Sequence, residues 1–280
     1  MKRPADFKLF MTVAENKISM CKIILKVWSS PDAAKKLVDR DVYLVVEGHL
    51  YHFTSDGDKV TVIELEDYFT TQEETDHKII MYLRMIGGLL TSNPKRNKVI
   101  VRSPDSDIFK NLMYYAHYFL QLKLRLDTGT GDSRRLLAVT ECAQDKGKEH
   151  CKSLLGLYDF TGEDTTSAFK GKGKVQPYKK LLKYPRYEAA FRQLGLNKDL
   201  SEETFKELEA FTCVMYGAPR SRSVDQVRTA KLKEMVGKST RLKKKRIDLS
   251  RLPPPRRCLR QHIKRTHMRA YQDRRYVIAK

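Results

Sequence analysis

The 280-residue sequence has no long uncharged apolar run. None of its hydrophobic segments approaches the roughly 18 residues that a membrane-spanning helix needs. The first residues, Met1 to Asp6, are charged, and the apolar run after them is soon interrupted by charge, unlike the core of a signal peptide. The sequence therefore predicts neither a membrane span nor a secretory signal.

Cysteine is scarce and unpaired. The five cysteines are scattered along the chain, and no two of them form a C-x-x-C motif. An odd number of widely spaced cysteines favours reduced thiols over a disulfide framework. We therefore expect an intracellular protein.

Acidic residues are few relative to basic ones. The chain has 55 Lys and Arg against 34 Asp and Glu, a formal charge of +21. Residues 219–280 contain 21 of these basic residues but only 4 acidic ones. Such an excess predicts a polyanionic partner, and we expect nucleic acid, with DNA favoured over RNA. The run Lys243 to Arg246 fits a nuclear-import signal, although a charge run is also typical of a solvated face.

The first half of the chain has α/β patterning. Residues 1–40 have helical periodicity, and strands are predicted at 42–46, 49–54 and 59–65, with a hairpin turn at 55–58. A strand at 98–102, an acidic loop and a helix at 108–120 form the βα unit of a parallel sheet. Further strands are predicted at 122–126 and 136–139.

The second half is predicted to be helical, with segments at 151–158, 178–194, 202–216 and 224–235. We expect one α/β domain over residues 1–218, whose part from about 160 to 218 is helical. A basic helical tail follows at 219–280, and its last helix carries Arg260 and Lys264 on a basic side that an anion would neutralise.

Three acidic clusters follow one another at predicted strand or helix ends. They are Glu73, Glu74 and Asp76, then Asp105 and Asp107, and then Glu163 and Asp164. The carboxyl ends of neighbouring strands meet at one edge of an α/β sheet, where ligands bind. Clustered carboxylates suit Mg²⁺ or Mn²⁺, and two such ions can support phosphodiester hydrolysis. The alternative to a metal site is that these acidic residues only begin helices or form turns.

Gly171 to Lys174 forms a glycine-and-lysine turn just after Asp164. Glycines let backbone N–H groups approach a phosphate, and the following helix start adds its dipole. A flexible surface turn is the alternative. The residues predicted to contact nucleic acid are Gly171, Lys172, Gly173, Lys174, Lys179, Lys180, Arg260 and Lys264.

The motifs E-E-T-D, S-P-D-S-D and F-T-G-E-D-T-T-S-A-F-K-G-K-G-K resemble the flap-endonuclease branch of the PIN-like nucleases. They are most similar to uncharacterised, transposon-associated animal proteins of that type. The resemblance implies a twisted, mainly parallel sheet flanked by helices and a helix-hairpin-helix-like motif at 171–174. It also implies that Glu74, Asp76, Asp105, Asp107 and Asp164 bind two Mg²⁺ or Mn²⁺ ions and are catalytic.

The sequence departs from that family at its start. PIN-like domains begin with a strand that ends in a metal-binding Asp, whereas the first strand predicted here, 42–46, precedes Glu47. We therefore expect that the first strand of the fold is missing.

The resulting expectation is a metal-dependent, structure-specific nuclease acting on branched or single-strand-bearing DNA or RNA. Two alternatives are a catalytically inactive nucleic-acid-binding module of the same fold and a scaffold that binds an acidic protein. We expect a nuclear location and no membrane partner.

Overall fold

The computed structural model describes residues 5–71, 75–90, 97–241 and 248–275, without the side chains of residues 90, 106 and 238–241. Its contacts divide the chain into two units, residues 1–75 and residues 76–280. The boundary expected at residues 218 and 219 does not coincide with this division. In the described residues, no helix is long and apolar enough to cross a membrane.

Unit 1 is a helical segment followed by an antiparallel sheet. Its helices are α1 (Phe7–Phe10), α2 (Ala14–Trp28) and α3 (Ala34–Leu37), and its strands are β1 (Val42–Val46), β2 (His49–Ser55) and β3 (Val60–Glu64). β1 pairs with β2 and β2 with β3, both antiparallel. The predicted helical start, strands and hairpin are confirmed. Phe53 is fully buried, in a small core with Leu37 and Val60.

Unit 2 begins with α4 (Thr75–Leu90), β4 (Lys98–Arg102) and α5 (Ser106–Tyr115), followed by β5 (Lys123–Thr128) and β6 (Arg135–Ala138). β4 and β5 are parallel because α5 connects them as a crossover, which confirms the predicted βα unit. β5 and β6 are antiparallel. The predicted α/β class is confirmed. The prediction of a mainly parallel sheet is wrong for the described strands. Short turns join β1 to β2, β2 to β3 and β5 to β6, so these pairs are antiparallel.

The rest of unit 2 is helical, as predicted. The helices are α6 (Val139–Lys146), α7 (Lys148–Thr161), α8 (Val175–Lys183), α9 (Glu188–Gln193), α10 (Glu202–Met215), α11 (Val224–Arg241) and α12 (Arg256–Asp273). The helix predicted at 178–194 is broken at Pro185, which cannot donate the backbone hydrogen bond that a helix interior needs. Short 3₁₀ helices lie at Pro31–Ala33, Glu66–Tyr68, Ala116–Tyr118, Gly131–Ser133, Pro185–Tyr187 and Leu249–Arg251.

The last helix, α12, belongs to the core of unit 2. Leu259, Ile263 and Ala270 are fully buried in one apolar cluster with Phe160 of α7 and Phe211 of α10. Leaving these side chains exposed would cost about 1.5–3 kcal/mol for each large one. α12 therefore holds α7 and α10 together and carries one wall of the candidate site.

Candidate functional site

A lysine is buried among three carboxylates where α5, α7 and α12 meet. The Lys110 side chain is 2% exposed, and its Nζ lies 2.5 Å from Asp159 Oδ1, 2.7 Å from Glu163 Oε2 and 2.9 Å from Asp273 Oδ2. Asp159 lies near the end of α7, Glu163 just after it, and Asp273 at the end of α12. Of these four residues, the sequence analysis named only Glu163, as a member of an acidic cluster, and it predicted no metal-binding role for any of them.

Other polar groups surround this cluster. Arg269 Nε lies 2.9 Å from Glu163 Oε1 and 3.2 Å from Asp273 Oδ1. His77 Nε2, on α4, lies 2.9 Å from Asp273 Oδ1, and the hydroxyl of Tyr115 donates to the backbone oxygen of Asp273. Four helices, α4, α5, α7 and α12, therefore meet at one charge network.

The ionisation of the network follows from burial and from its own charges. Burial opposes the charge of Lys110, but Asp159, Asp273 and Glu163 outweigh it and raise the pKa of this lysine. Burial raises the pKa of Asp159, against the opposing effect of Lys110. Burial also acts to raise the pKa of Asp273, but the hydrogen bond with His77 and the charges of Lys110 and Arg269 lower it. Lys110 therefore carries a positive charge in the folded protein, as the neighbouring guanidinium of Arg269 does.

The three carboxylates could hold a metal ion. One ligand oxygen from each of Asp159, Glu163 and Asp273 lies within 4.8 Å of the other two. Oxygen ligands of this kind suit hard divalent cations. Asp159 Oδ2 is buried and has no hydrogen-bond partner among the described residues. The Lys110 ammonium already lies among these carboxylates, so a metal ion would have to displace it.

The predicted metal ligands that the structure describes lie on or beside helices that carry this network. Glu74 is outside the described residues, and Asp76 is partly buried in the first turn of α4. Asp105 is exposed and caps the N-terminus of α5, where its carboxylate accepts a 2.9 Å hydrogen bond from the Asp107 backbone N–H. Asp107 is partly buried in the first turn of α5, and Asp164 is exposed in the loop after α7.

Tyr158 connects the predicted ligand Asp107 to the end of α7. Its hydroxyl donates a 2.8 Å hydrogen bond to Asp107 Oδ1. The Lys174 ammonium lies 3.5 Å from the centroid of the Tyr158 ring and donates to the backbone oxygens of Tyr158, at 2.7 Å, and Gly162. Burial lowers the pKa of Lys174 to about 8, although Asp107 and Asp159 oppose this shift. Lys174 thus caps the C-terminal end of α7 instead of extending into solvent.

The glycines of this loop have backbone conformations that side chains disfavour. Gly171 and Gly173 have φ of 75° and 55°, and a Cβ on either would meet no atom within 4 Å. Gly162 has a φ of 107°, and a Cβ there would lie 2.6 Å from Ala168 Cα. The turn at 171–174 therefore needs glycine for its backbone, and Gly162 needs it also for space.

The predicted nucleic-acid contacts differ in exposure. Lys172 is partly buried, with its ammonium 4.2 Å from the centroid of the Tyr216 ring, and Lys174 is turned inward. Lys179 is exposed and Lys180 is partly buried on α8. Lys179 is therefore accessible to a nucleic acid, whereas Lys172 and Lys174 make contacts within the protein.

On α12, Lys264 is exposed, whereas Arg260 makes a bidentate pair with Glu202 at 2.7 and 2.8 Å. The guanidinium of Arg260 also lies 3.8 Å from the centroid of the Phe205 ring. Glu202 therefore supplies part of the negative charge that the predicted basic side of α12 needs. The basic run at 243–246 lies outside the described residues.

The residues that sequence reasoning missed share one signal, a charge on an apolar helical face. Asp159 stands between Leu157 and Phe160, and Lys110 stands between Ile108 and Leu112, all of which are buried. A charged residue at such a position is almost never fully buried unless it is paired. That signal indicates two buried charges, but it does not indicate that they pair with each other.

Comparison with known proteins gives no further assignment: no family model, no curated protein and no solved structure matches the chain.

Proposed function

We propose that this chain is a PIN-like, flap-endonuclease-related phosphodiesterase that uses Mg²⁺ or Mn²⁺ on branched or single-strand-bearing nucleic acid. One contact carries the proposal. The 2.7 Å ion pair between Lys110 and Glu163 holds the loop that carries Asp164 against α5, the helix that begins at Asp105 and Asp107. This ion pair supports the proposal because it ties the loop of one acidic motif to the helix that follows another.

In this proposal Asp105, Asp107 and Asp164 hold the metal, and Asp76 completes the set. A bound divalent ion would lower the pKa of a water molecule and stabilise the leaving oxygen of the phosphodiester. Tyr158 would fix the orientation of Asp107 through its hydrogen bond, as groups behind a metal ligand commonly do. Lys179 and Lys264, both exposed, would contact phosphates and position the strand without reading its sequence.

The test is cleavage of end-labelled 5′-flap and single-stranded substrates by the full chain with Mg²⁺ or Mn²⁺. We expect the wild type to cleave these substrates, and we expect the cleavage rate to be at least a hundredfold lower in the double variant Asp105→Asn plus Asp164→Asn. Asp132→Asn is a matched control, because Asp132 is also exposed in unit 2 but lies outside the acidic set. Cleavage that survives the double substitution would rule out this site.

Lys110 favours a second candidate function, a nucleic-acid-binding module that does not cleave. Its ammonium already neutralises carboxylates that could otherwise hold a metal ion. A module of this kind predicts binding that weakens steeply with salt, because basic residues release counterions from the nucleic acid. It predicts no cleavage with either metal and no effect of Asp105→Asn on binding.

A further inference from the structure

A cavity of about 230 Å³ opens between the loop after α7, helix α11 and the segment that leads into α12. Its walls combine apolar and basic groups. The apolar side includes Phe169, Leu252 and Pro254, and the basic groups are Lys170 and Arg228. None of the described residues that line it is acidic. The volume is just below the range of about 300–1,000 Å³ typical of sites for drug-sized ligands, so the cavity suits an anion with an apolar part, of which a portion would remain outside the cavity.

The two cations are held at the cavity by weak or partial interactions. Lys170 Nζ lies 3.2 Å from Asp248 Oδ2, but both side chains are largely exposed, and such a surface pair contributes little. Arg228 uses Nη1 to donate to the backbone oxygen of Pro253 at 2.5 Å. A guanidinium has five N–H donors, so donors remain for an anion.

A series of hydrogen bonds through His262 holds Ser167 in place in the cavity wall. His262 Nε2 lies 2.8 Å from the backbone oxygen of Phe160, and because a carbonyl only accepts, Nε2 carries the proton. His262 Nδ1 therefore accepts from the hydroxyl of Ser167 at 2.9 Å. Arg265 Nη2 in turn donates to Ser167 Oγ at 3.3 Å, which holds a third cation beside the cavity.

We infer that this cavity binds a single nucleotide unit, with its phosphate on Lys170 and Arg228 and its base or sugar against Leu252 and Pro254. The inference rests on the proposed action on nucleic acid and names a subsite for it. The ligand chemistry is a nucleoside monophosphate, either free or as the terminal nucleotide of a strand. Charge-assisted bonds from guanidinium to phosphate are the strong contacts, and the apolar walls favour the nucleoside part.

The test is calorimetric titration of the full chain with adenosine 5′-monophosphate, adenosine and inorganic phosphate. We expect saturable binding of the monophosphate and at least tenfold weaker binding of the other two. Lys170→Gln should weaken monophosphate binding about tenfold, and Ser250→Phe, at an exposed position of the cavity wall, should abolish it. Lys123→Gln, at an exposed lysine of β5 outside the cavity, is the control and should leave binding unchanged.

Oligonucleotides distinguish the two sources of the ligand. If a 5′-phosphorylated oligonucleotide displaces the monophosphate better than its 5′-hydroxyl counterpart, the occupant is a strand end; if neither displaces it, the occupant is a free nucleotide. Absence of saturable monophosphate binding, or equal binding by wild type, Lys170→Gln and Ser250→Phe, would overturn the inference. Flap-DNA binding is measured on the same proteins. If the chain binds DNA but not the monophosphate, the nucleotide site in the cavity is refuted and the proposed function is not. If the chain binds the monophosphate but not DNA, the proposed function is refuted and the nucleotide site is not.

Discussion

Replacing Lys110 by Met should destabilise unit 2 strongly. The substitution removes an ammonium that lies 2.5–2.9 Å from three carboxylates, each side chain at most 1% exposed. Removing one partner of a buried ion pair costs about 3–5 kcal/mol, because the remaining charge is left uncompensated. At about 2–4 °C per kcal/mol for a domain of this size, we expect the melting temperature to fall by about 6–20 °C.

The assay is urea and thermal unfolding followed by circular dichroism, with Lys179→Met as the control. The control should change the free energy of unfolding by less than about 0.5 kcal/mol, because Lys179 is exposed. Adding Asp159→Asn to Lys110→Met removes the carboxylate that is left without an ion pair among the described residues, because Glu163 and Asp273 still have Arg269. This second substitution should recover at least about 1 kcal/mol. Mn²⁺ should stabilise Lys110→Met more than the wild type, because the vacated carboxylates would add a second site for a divalent ion. If Lys110→Met lowers the free energy of unfolding by less than about 1 kcal/mol, a structural role for the network is refuted.

Three further predictions test the loop, the predicted ligand and the buried histidine. Gly162→Ala should lower the free energy of unfolding in urea by about 2–4 kcal/mol, because residue 162 has a φ of 107° and its new Cβ would contact Ala168. Gly171→Ala should lower it by only about 1 kcal/mol, because a Cβ at residue 171 would contact no atom within 4 Å. Tyr158→Phe should weaken Mn²⁺ binding about tenfold by releasing Asp107, with a stability loss of only about 1 kcal/mol; unchanged Mn²⁺ affinity would exclude this positioning role. Burial lowers the pKa of His262, so the unfolded state binds more protons below about pH 6.5, and stability should fall with decreasing pH by up to about 1.4 kcal/mol per unit. Urea unfolding at pH 6.5 and pH 5.5 should show this decrease, and His262→Gln should reduce it.

Local patterns predicted the elements well because their causes are local. The strand Lys98–Arg102 was predicted with its observed bounds, since a short apolar run ends at the Ser-Pro-Asp turn. Asp105 was predicted to follow this strand, and its carboxylate caps α5 through a hydrogen bond two residues along the chain. The sheet was predicted less well, because pairing direction depends on which strands become neighbours.

The buried charge network could not be predicted, because its partners are distant in sequence. Lys110 and Asp273 are 163 residues apart, and they meet only because the apolar face of α12 packs against α7 and α10. The same packing explains why α12, which lies in the segment predicted to be a basic tail, packs its apolar face into the core of unit 2. Its apolar residues, among them Leu259 and Ile263, are fewer than its charges but decide its position.

Mn²⁺ binding to the full chain addresses the proposed metal site most directly. We expect saturable binding by the wild type, loss of at least tenfold in affinity in Asp105→Asn plus Asp164→Asn, and little change in the exposed control Asp132→Asn. Asp159→Asn should leave this binding in place, because Lys110 occupies the cluster to which Asp159 belongs. Mn²⁺ binding that survives the double substitution, or no Mn²⁺ binding by the wild type, would contradict a metal site built from Asp105, Asp107 and Asp164.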